Sequence, residues 1–347
     1  MGCFMIYGYH LRGPLRYFRA LFFFLFVFAF LLGIRSVSLA QQKVNWNGYL
    51  QYRFSDNYSD QAGFSVRRAK LWLDGQLPFE SDKWGFKLQS IFCNKQNFMF
   101  QLQDVFIDYK ADRFAITAGQ FIPDFSLQRK QPDYLIPLTE RADVINALLP
   151  TAETMGRDIG AEVIYNFPFG GISIGLFNGN GANTVSDKKN FLYINRGFIN
   201  LKNKSTDFRI GYSVAYRNDN ELKFSKIFGN TDTFSGDDFR YGFDARLKLS
   251  KFEFQTEILE AYLKKQKAWG YYALTDYSIT SKNLITLSVE QLYDLNPSTI
   301  DDPWYTIGYS YKLKGSDIKF SFDDKFQFTT HKTYSLTTVQ IQYFFNQ

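Results

Sequence analysis

Arg67, Arg68 and Lys70 place three fixed positive charges within four residues of the stretch GFSVRRAKLWLDGQL, residues 63–77. Arg53 lies just upstream, and Arg129, Lys130 and Arg141 follow further along the chain. Such side chains attract anions rather than make or break covalent bonds, and arginine's planar fork can hold two oxygens of a phosphate or carboxylate at once. Asp74 shares the parity of Arg68 and Lys70, and an opposed carboxylate there would weaken binding enough to let an ion leave. Arg53, Arg68, Lys70, Asp74, Arg129, Lys130 and Arg141 are therefore the candidate solute-contacting residues. Covalent and metal chemistry have less to draw on. Past residue 40 the chain has one cysteine, Cys93, and one histidine, His331. That leaves no internal disulfide framework and no multi-histidine metal site, and no cofactor is expected. A lipase-type enzyme would need a serine with a supporting histidine. His331, in TTHKT, reads more simply as a loop residue.

The elements that must carry these charges are strands. In 68–77, Ala69, Leu71, Leu73 and Leu77 alternate with Arg68, Lys70, Trp72, Asp74 and Gln76, and neighbouring side chains on a strand point to opposite faces. VNWNGYLQYRF, DFRIGYSVAYR, FRYGFDARLKL and DIKFSFDDKFQF repeat the pattern, the last interrupted at Asp324. About sixteen such segments run from Val44 to Phe345. Short polar turns such as PFESD, ADR, KNKSTD and KGS alternate with longer links, except near KKQK at 264–267. Sorting of this kind is expected of an outer-membrane barrel, with periplasmic turns and longer extracellular loops. A soluble antiparallel sandwich shares the alternation but has no reason to sort its loops. The expected fold is all-β: a transmembrane antiparallel β-barrel of about sixteen strands, wide enough for a water-filled channel.

In such a barrel the apolar faces meet outer-membrane lipid and lipopolysaccharide, and the polar faces line water. Trp46, Trp84, Tyr216, Tyr272, Trp304 and Tyr343 mark strand ends as expected of interfacial girdles. Arg67 falls on the apolar parity and is expected at headgroup level, where a lipid-facing charge costs ~0–1 kcal/mol. Residues 1–40 read as a signal peptide. Arg12, Arg16 and Arg19 precede ALFFFLFVFAFLLG, and SLA ends at Ala40. That apolar core is shorter than the ~20 residues of a spanning helix. The leader holds four of the 40 basic residues and none of the 34 acidic ones, so 36 basic residues remain against 34 acidic. The pI of about 9.0 is thus partly the leader's, and nucleic-acid binding loses its main support. The domain plan is a leader, 1–40, and a barrel, 41–347.

One link stands apart. Residues 122–155 are long enough to suggest function. Leu138, Ala142, Ile145 and Leu149 recur at helical spacing between Pro137 and Pro150, which predicts a short helix. As the third long loop, this segment is expected to fold into the lumen and bring Arg129, Lys130 and Arg141 near Arg68 and Lys70. The alternative is a surface loop with solvated charges.

FSVRRAKLWLDGQL, FAITAGQFIPDFSLQ, LTERADVINALLP, GRDIGAEVIYN and IGLFNGNG occur in an order that resembles the phosphate-selective porin O and P family. The resemblance spans essentially the whole chain after the leader. It implies a sixteen-stranded porin of the Gram-negative outer membrane, usually a homotrimer, with a constriction formed partly by the third loop. It also implies passage of small anions such as phosphate along lumen-facing arginines and lysines. The basic second strand, with Arg68 and Lys70, and Arg141 of the loop helix match that pattern, and Arg129 and Lys130 match it loosely. Asp74, Asp104, Asp108, Glu162, Asp244 and Glu257 also fall on lumen parity and oppose a basic ladder. A blocked structural or adhesin barrel is the other reading of the same strands.

Overall fold

The computed structural model describes residues 44–77, 83–94, 100–150, 155–185, 190–228, 233–296, 300–330 and 332–345. The expected leader, 1–40, and His331 lie outside the described residues. The first eight strands are β1 (Val44–Asp56), β2 (Ala62–Gln76), β3 (Trp84–Asn94), β4 (Gln101–Lys110), β5 (Phe114–Phe121), β6 (Asp158–Phe167), β7 (Gly170–Phe177) and β8 (Leu192–Lys202). The second eight are β9 (Thr206–Lys223), β10 (Thr233–Leu249), β11 (Phe252–Leu263), β12 (Gln266–Ser278), β13 (Asn283–Tyr293), β14 (Trp304–Lys312), β15 (Ile318–Phe328) and β16 (Thr333–Phe345). Each pairs antiparallel with its neighbours, and β1 closes on β16 from Gly48↔Phe345 to Asp56↔Thr337. Closure leaves no open edge, as spanning strands in hydrocarbon require.

Alternation in the sequence becomes alternation in exposure. On β7, Ile172, Ile174 and Leu176 are exposed while Ser173 is buried; on β16, Val339, Ile341 and Tyr343 are exposed while Thr338, Gln340 and Gln342 are buried. The apolar parity faces out and the polar parity is shielded, the reverse of a soluble core. Asp324, the break in β15's apolar face, accepts hydrogen bonds from Ser335 Oγ at 3.2 Å and Thr337 Oγ1 at 3.0 Å. The irregular join near KKQK is a hairpin between β11 and β12, with Lys264 at φ 59°.

Two expectations about facing are corrected. Tyr272 is fully buried and donates to Glu257 at 2.6 Å, and Trp304 is half-buried with Lys325 Nζ 5.0 Å from its ring centre. Neither belongs to a girdle, because each is in register with polar-parity residues: Tyr272 with Glu257, Trp304 with Gln327 and Glu290. Trp46, Tyr216 and Tyr343 are exposed as a girdle requires.

Arg67 is the second correction. The β1–β2 ladder pairs Gln51 with Arg68 and Tyr52 with Val66, so Arg67 is the extra residue of a β-bulge. The bulge cancels the change of face between 67 and 68. Arg67 therefore meets the same acceptor as Arg68, with its side chain only 12% exposed. A lipid-level charge becomes a shielded one.

Candidate functional site

Residues 122–150 join β5 to the rest of the chain and carry two short helices, α1 (Leu127–Lys130) and α2 (Asp143–Leu148). The helix predicted from Leu138 to Leu149 is shortened to α2. Its expected first turn is held instead by Thr139 N, which donates to Asp323 at 2.5 Å, and by Ala142 N, at the residue before α2, which donates to Gln128 Oε1 at 3.0 Å. α2 is seated by burial: Val144, Ile145 and Leu148 pack into a cluster with Leu259, Ala261, Leu263 and Ala268 of β11 and β12. Fully burying a side chain of this size contributes ~1.5–3 kcal/mol. At the end of α2, Arg240 donates to the Leu148 carbonyl, a cation where a helix terminus favours one. Asp238 holds Arg240 at 2.7 Å.

The polar anchors of this segment come from acids spread round the barrel. Glu162 on β6 accepts from Asp124 N at 2.8 Å, and Glu257 on β11 accepts from Leu127 N at 3.1 Å and Gln128 N at 2.6 Å. Glu290 on β13 accepts from Asp143 N at 2.6 Å, and Asp323 on β15 takes Thr139 N. Charge-assisted bonds to backbone N–H groups are roughly twice as strong as neutral ones. Glu162 and Glu257, which oppose a basic ladder on parity alone, thus serve as backbone acceptors, as do Glu290 and Asp323.

On the β1–β2 side the segment supplies the acids, and the barrel supplies every base but the segment's own Arg141. Glu140 accepts from Arg53 Nη1 at 2.7 Å, Arg67 Nε at 2.5 Å and Arg68 Nη2 at 3.3 Å. Asp133 accepts from Lys70 and Arg141, lies 3.6 Å from Arg68 Nε, and receives the Tyr49 hydroxyl at 3.3 Å. Five cations share these two carboxylates. Burial alone would raise both carboxyls, but it is outweighed. Arg141, Lys70 and Arg68 hold Asp133 well below the ordinary carboxylate range, and Arg68, Arg67 and Arg53 do the same for Glu140.

Beside this cluster lies a cavity of about 290 Å³. Lys70, Lys87, Arg129, Lys130, Arg141 and Arg157 all reach it. Arg157 is paired with Asp104 at 2.7 Å, and Lys87 with the same carboxylate at 3.2 Å. Arg129 differs: it is 2% exposed, and among the described residues its buried Nε and Nη2 have no hydrogen-bond partner. Burial, then the charges of Arg141 and Arg157, push its pKa well below the usual guanidinium value. Lys130 is exposed and donates to the Ile122 carbonyl at 3.1 Å.

Of the seven residues expected from sequence, Arg53, Arg68, Lys70 and Arg141 converge on Glu140 and Asp133. Arg129 and Lys130 line the cavity with Lys70 and Arg141. Asp74 stands apart, in contact with Asn47 at 3.4 Å. Arg67, Lys87, Arg157, Asp133 and Glu140 are additional members. Lys87 sits on β3's polar parity and was open to a period-two reading; Asp133, Glu140 and Arg157 lie outside the strands, where parity gives no direction.

A model of the family described as phosphate-selective porin O and P matches residues 40–286. The chain belongs to that family. No curated protein matches this porin by sequence. Its fold is similar to that of Pseudomonas putida OprB, with TM-score 0.62 and 11% identity over 88% of this chain and 94% of the other. It is also similar to the outer-membrane channel DcaP of Acinetobacter baumannii, with TM-score 0.59 and 13% identity over 89% and 99%. A trimer form of in-vitro folded OmpT of Vibrio cholerae gives TM-score 0.59 and 8% identity over 88% and 99%. The porin is thus a sixteen-stranded barrel of the Gram-negative outer membrane, from a family of channels.

Proposed function

We propose that this porin passes small hydrophilic anions by diffusion, through a constriction that the 122–150 segment forms across the lumen. Exported by residues 1–40 and cleaved near Ala40, it would sit with its apolar parity against lipid and lipopolysaccharide. One observation carries the anion preference: Glu162, Glu257, Glu290 and Asp323 are occupied by backbone N–H groups, while five cations share Asp133 and Glu140. The segment's contacts with β1, β2, β6, β11, β13 and β15 support its place inside the barrel. Cationic rings lower the barrier for anions and raise it for cations, and no cofactor or covalent step is needed. Phosphate is one such anion: it is named in the family's description, and arginine's planar fork suits its oxygens. Homotrimeric assembly is proposed by analogy with the trimer form among the similar structures.

Reversal potentials across a planar bilayer in asymmetric KCl test the reading. A potential of the sign set by chloride is expected, and phosphate should reduce chloride current. Clear cation selectivity overturns the anion preference. A folded barrel without conductance overturns the channel itself in favour of a blocked one.

A further inference from the structure

The cavity beside Arg129 is only partly basic. Its lining also carries apolar groups: Phe106 on β4 and Ile164 on β6 both take inward positions in strands whose outward faces are already apolar, and Phe121 and Ile122 add to them from the end of β5. Phe106 and Phe121 meet edge-on with ring centres 5.9 Å apart. Phe121 belongs to the buried apolar cluster and Phe106 packs against it, so this part of the lining is held rigidly by the core while one side of it borders the cavity. The volume of about 290 Å³ is also close to the ~300 Å³ lower end of cavities that hold organic ligands, and well above the ~30 Å³ share of one water. The two observations are independent: an unpartnered buried guanidinium, and an apolar surface facing the same space.

Resting on the anion-channel reading, we infer that this cavity selects organic carboxylates with a compact apolar body over inorganic anions and over small, wholly polar carboxylates. Arg129 would take the carboxylate, and Phe106 and Ile164 the body. Glu162, which also reaches the cavity, would disfavour a second negative charge on the ligand, so monocarboxylates fit better than dicarboxylates.

Calorimetric titration of the detergent-solubilised full barrel, against detergent blanks, compares benzoate, acetate and inorganic phosphate. Benzoate should bind at least tenfold more tightly than acetate, a difference of about 1.4 kcal/mol. Arg129→Gln should weaken both, and Ile164→Thr should reduce the benzoate-to-acetate ratio. Folding of each variant is checked by heat-modified gel mobility. If Ile164→Thr fails to fold, the wild-type ratio still decides. Equal affinity for benzoate and acetate, tighter binding of phosphate than of benzoate, or benzoate binding indifferent to Arg129→Gln each overturns the inference. The bilayer measurement separates the parent reading, because cation selectivity there sinks the anion channel, whereas equal binding in an anion-selective channel sinks only the apolar-body preference.

Discussion

Glu140→Gln is the most informative single change. The carboxylate receives Arg53, Arg67 and Arg68, with donor–acceptor distances between 2.5 and 3.3 Å. Glutamine keeps the shape and one acceptor oxygen but leaves three guanidinium groups without their shared charge. Breaking a fully buried pair costs ~3–5 kcal/mol. The Glu140 side chain is 35% exposed, so solvent screening brings the expected cost down to ~1–3 kcal/mol. That cost falls on the attachment of the segment rather than on the ladder of sixteen strands, so the barrel should still migrate as a folded species on unheated gels. The electrostatic effect can be worked separately. At roughly 8 Å in a water-filled lumen, one unit charge is worth about 0.5 kcal/mol to a passing ion. An anion gains that amount and a cation loses it, so the permeability ratio should shift by ~1 kcal/mol, or about fivefold toward anions. Reversal potentials in a salt gradient measure the ratio, and current noise reports on loosening. An unchanged or reduced anion preference in a folded channel would refute Glu140's place at the conduction path.

Acidification should act through the same two carboxylates. Asp133 and Glu140 have folded-state pKa values below their unfolded ones, so their contribution is complete above about pH 4–4.5 and is lost as pH falls through the lower folded values. In the folded channel both carboxylates should therefore stay ionised down to about pH 4, with anion preference flat from about pH 7 to about pH 4; a reversible rise in anion preference within that interval would count against the pairing. Arg67→Leu distinguishes the bulge from a lipid-facing arginine. A lipid-facing site would leave conductance unaltered, whereas the shielded position predicts lower anion preference. Leu148→Asp places a charge where the side chain is 1% exposed and should release α2 at a cost of several kcal/mol. Single-channel conductance should then increase, and a decrease would show that α2 does not narrow the path.

Strand number, antiparallel closure and the facing of most side chains were legible because period two is a strong signal over ten residues and Val44 to Phe345 repeats it. The signal fails where a single residue is inserted. Nothing in SVRRAK distinguishes a regular strand from one bulged at Arg67; the cue appears only when the charge cost of an outward Arg67 is weighed against an acceptor whose position is unknown. It fails again on β11 and β12. In EILEAYLKKQKAWGYYAL apolar residues occupy both parities, so Ile258 and Leu259 look alike, yet Ile258 is exposed and Leu259 is 2% exposed. The inner apolar patch exists to receive α2, a partner more than a hundred residues away.

That patch explains how a nearly charge-balanced chain can build a basic site. Residues beyond 40 carry 36 basic against 34 acidic side chains, so any selectivity must come from how the charges are spent. Seating α2 against Leu259, Ala261 and Leu263 brings the segment's backbone within reach of Glu257, Glu290 and Asp323. Those carboxylates then satisfy N–H groups that would otherwise be left unpaired away from water. On the far side the same segment lends Asp133 and Glu140 to four cations of β1 and β2 and to its own Arg141. It also leaves two buried nitrogens of Arg129, a residue of the cavity lining, without a hydrogen-bond partner among the described residues. On the proposed function, apolar docking on one wall thus decides which charges remain for a solute on the other. Substitutions at Leu259 or Ala261, which touch no ion, should change ion selectivity as much as substitutions at Arg68, because both act by moving the segment that fixes the charge balance.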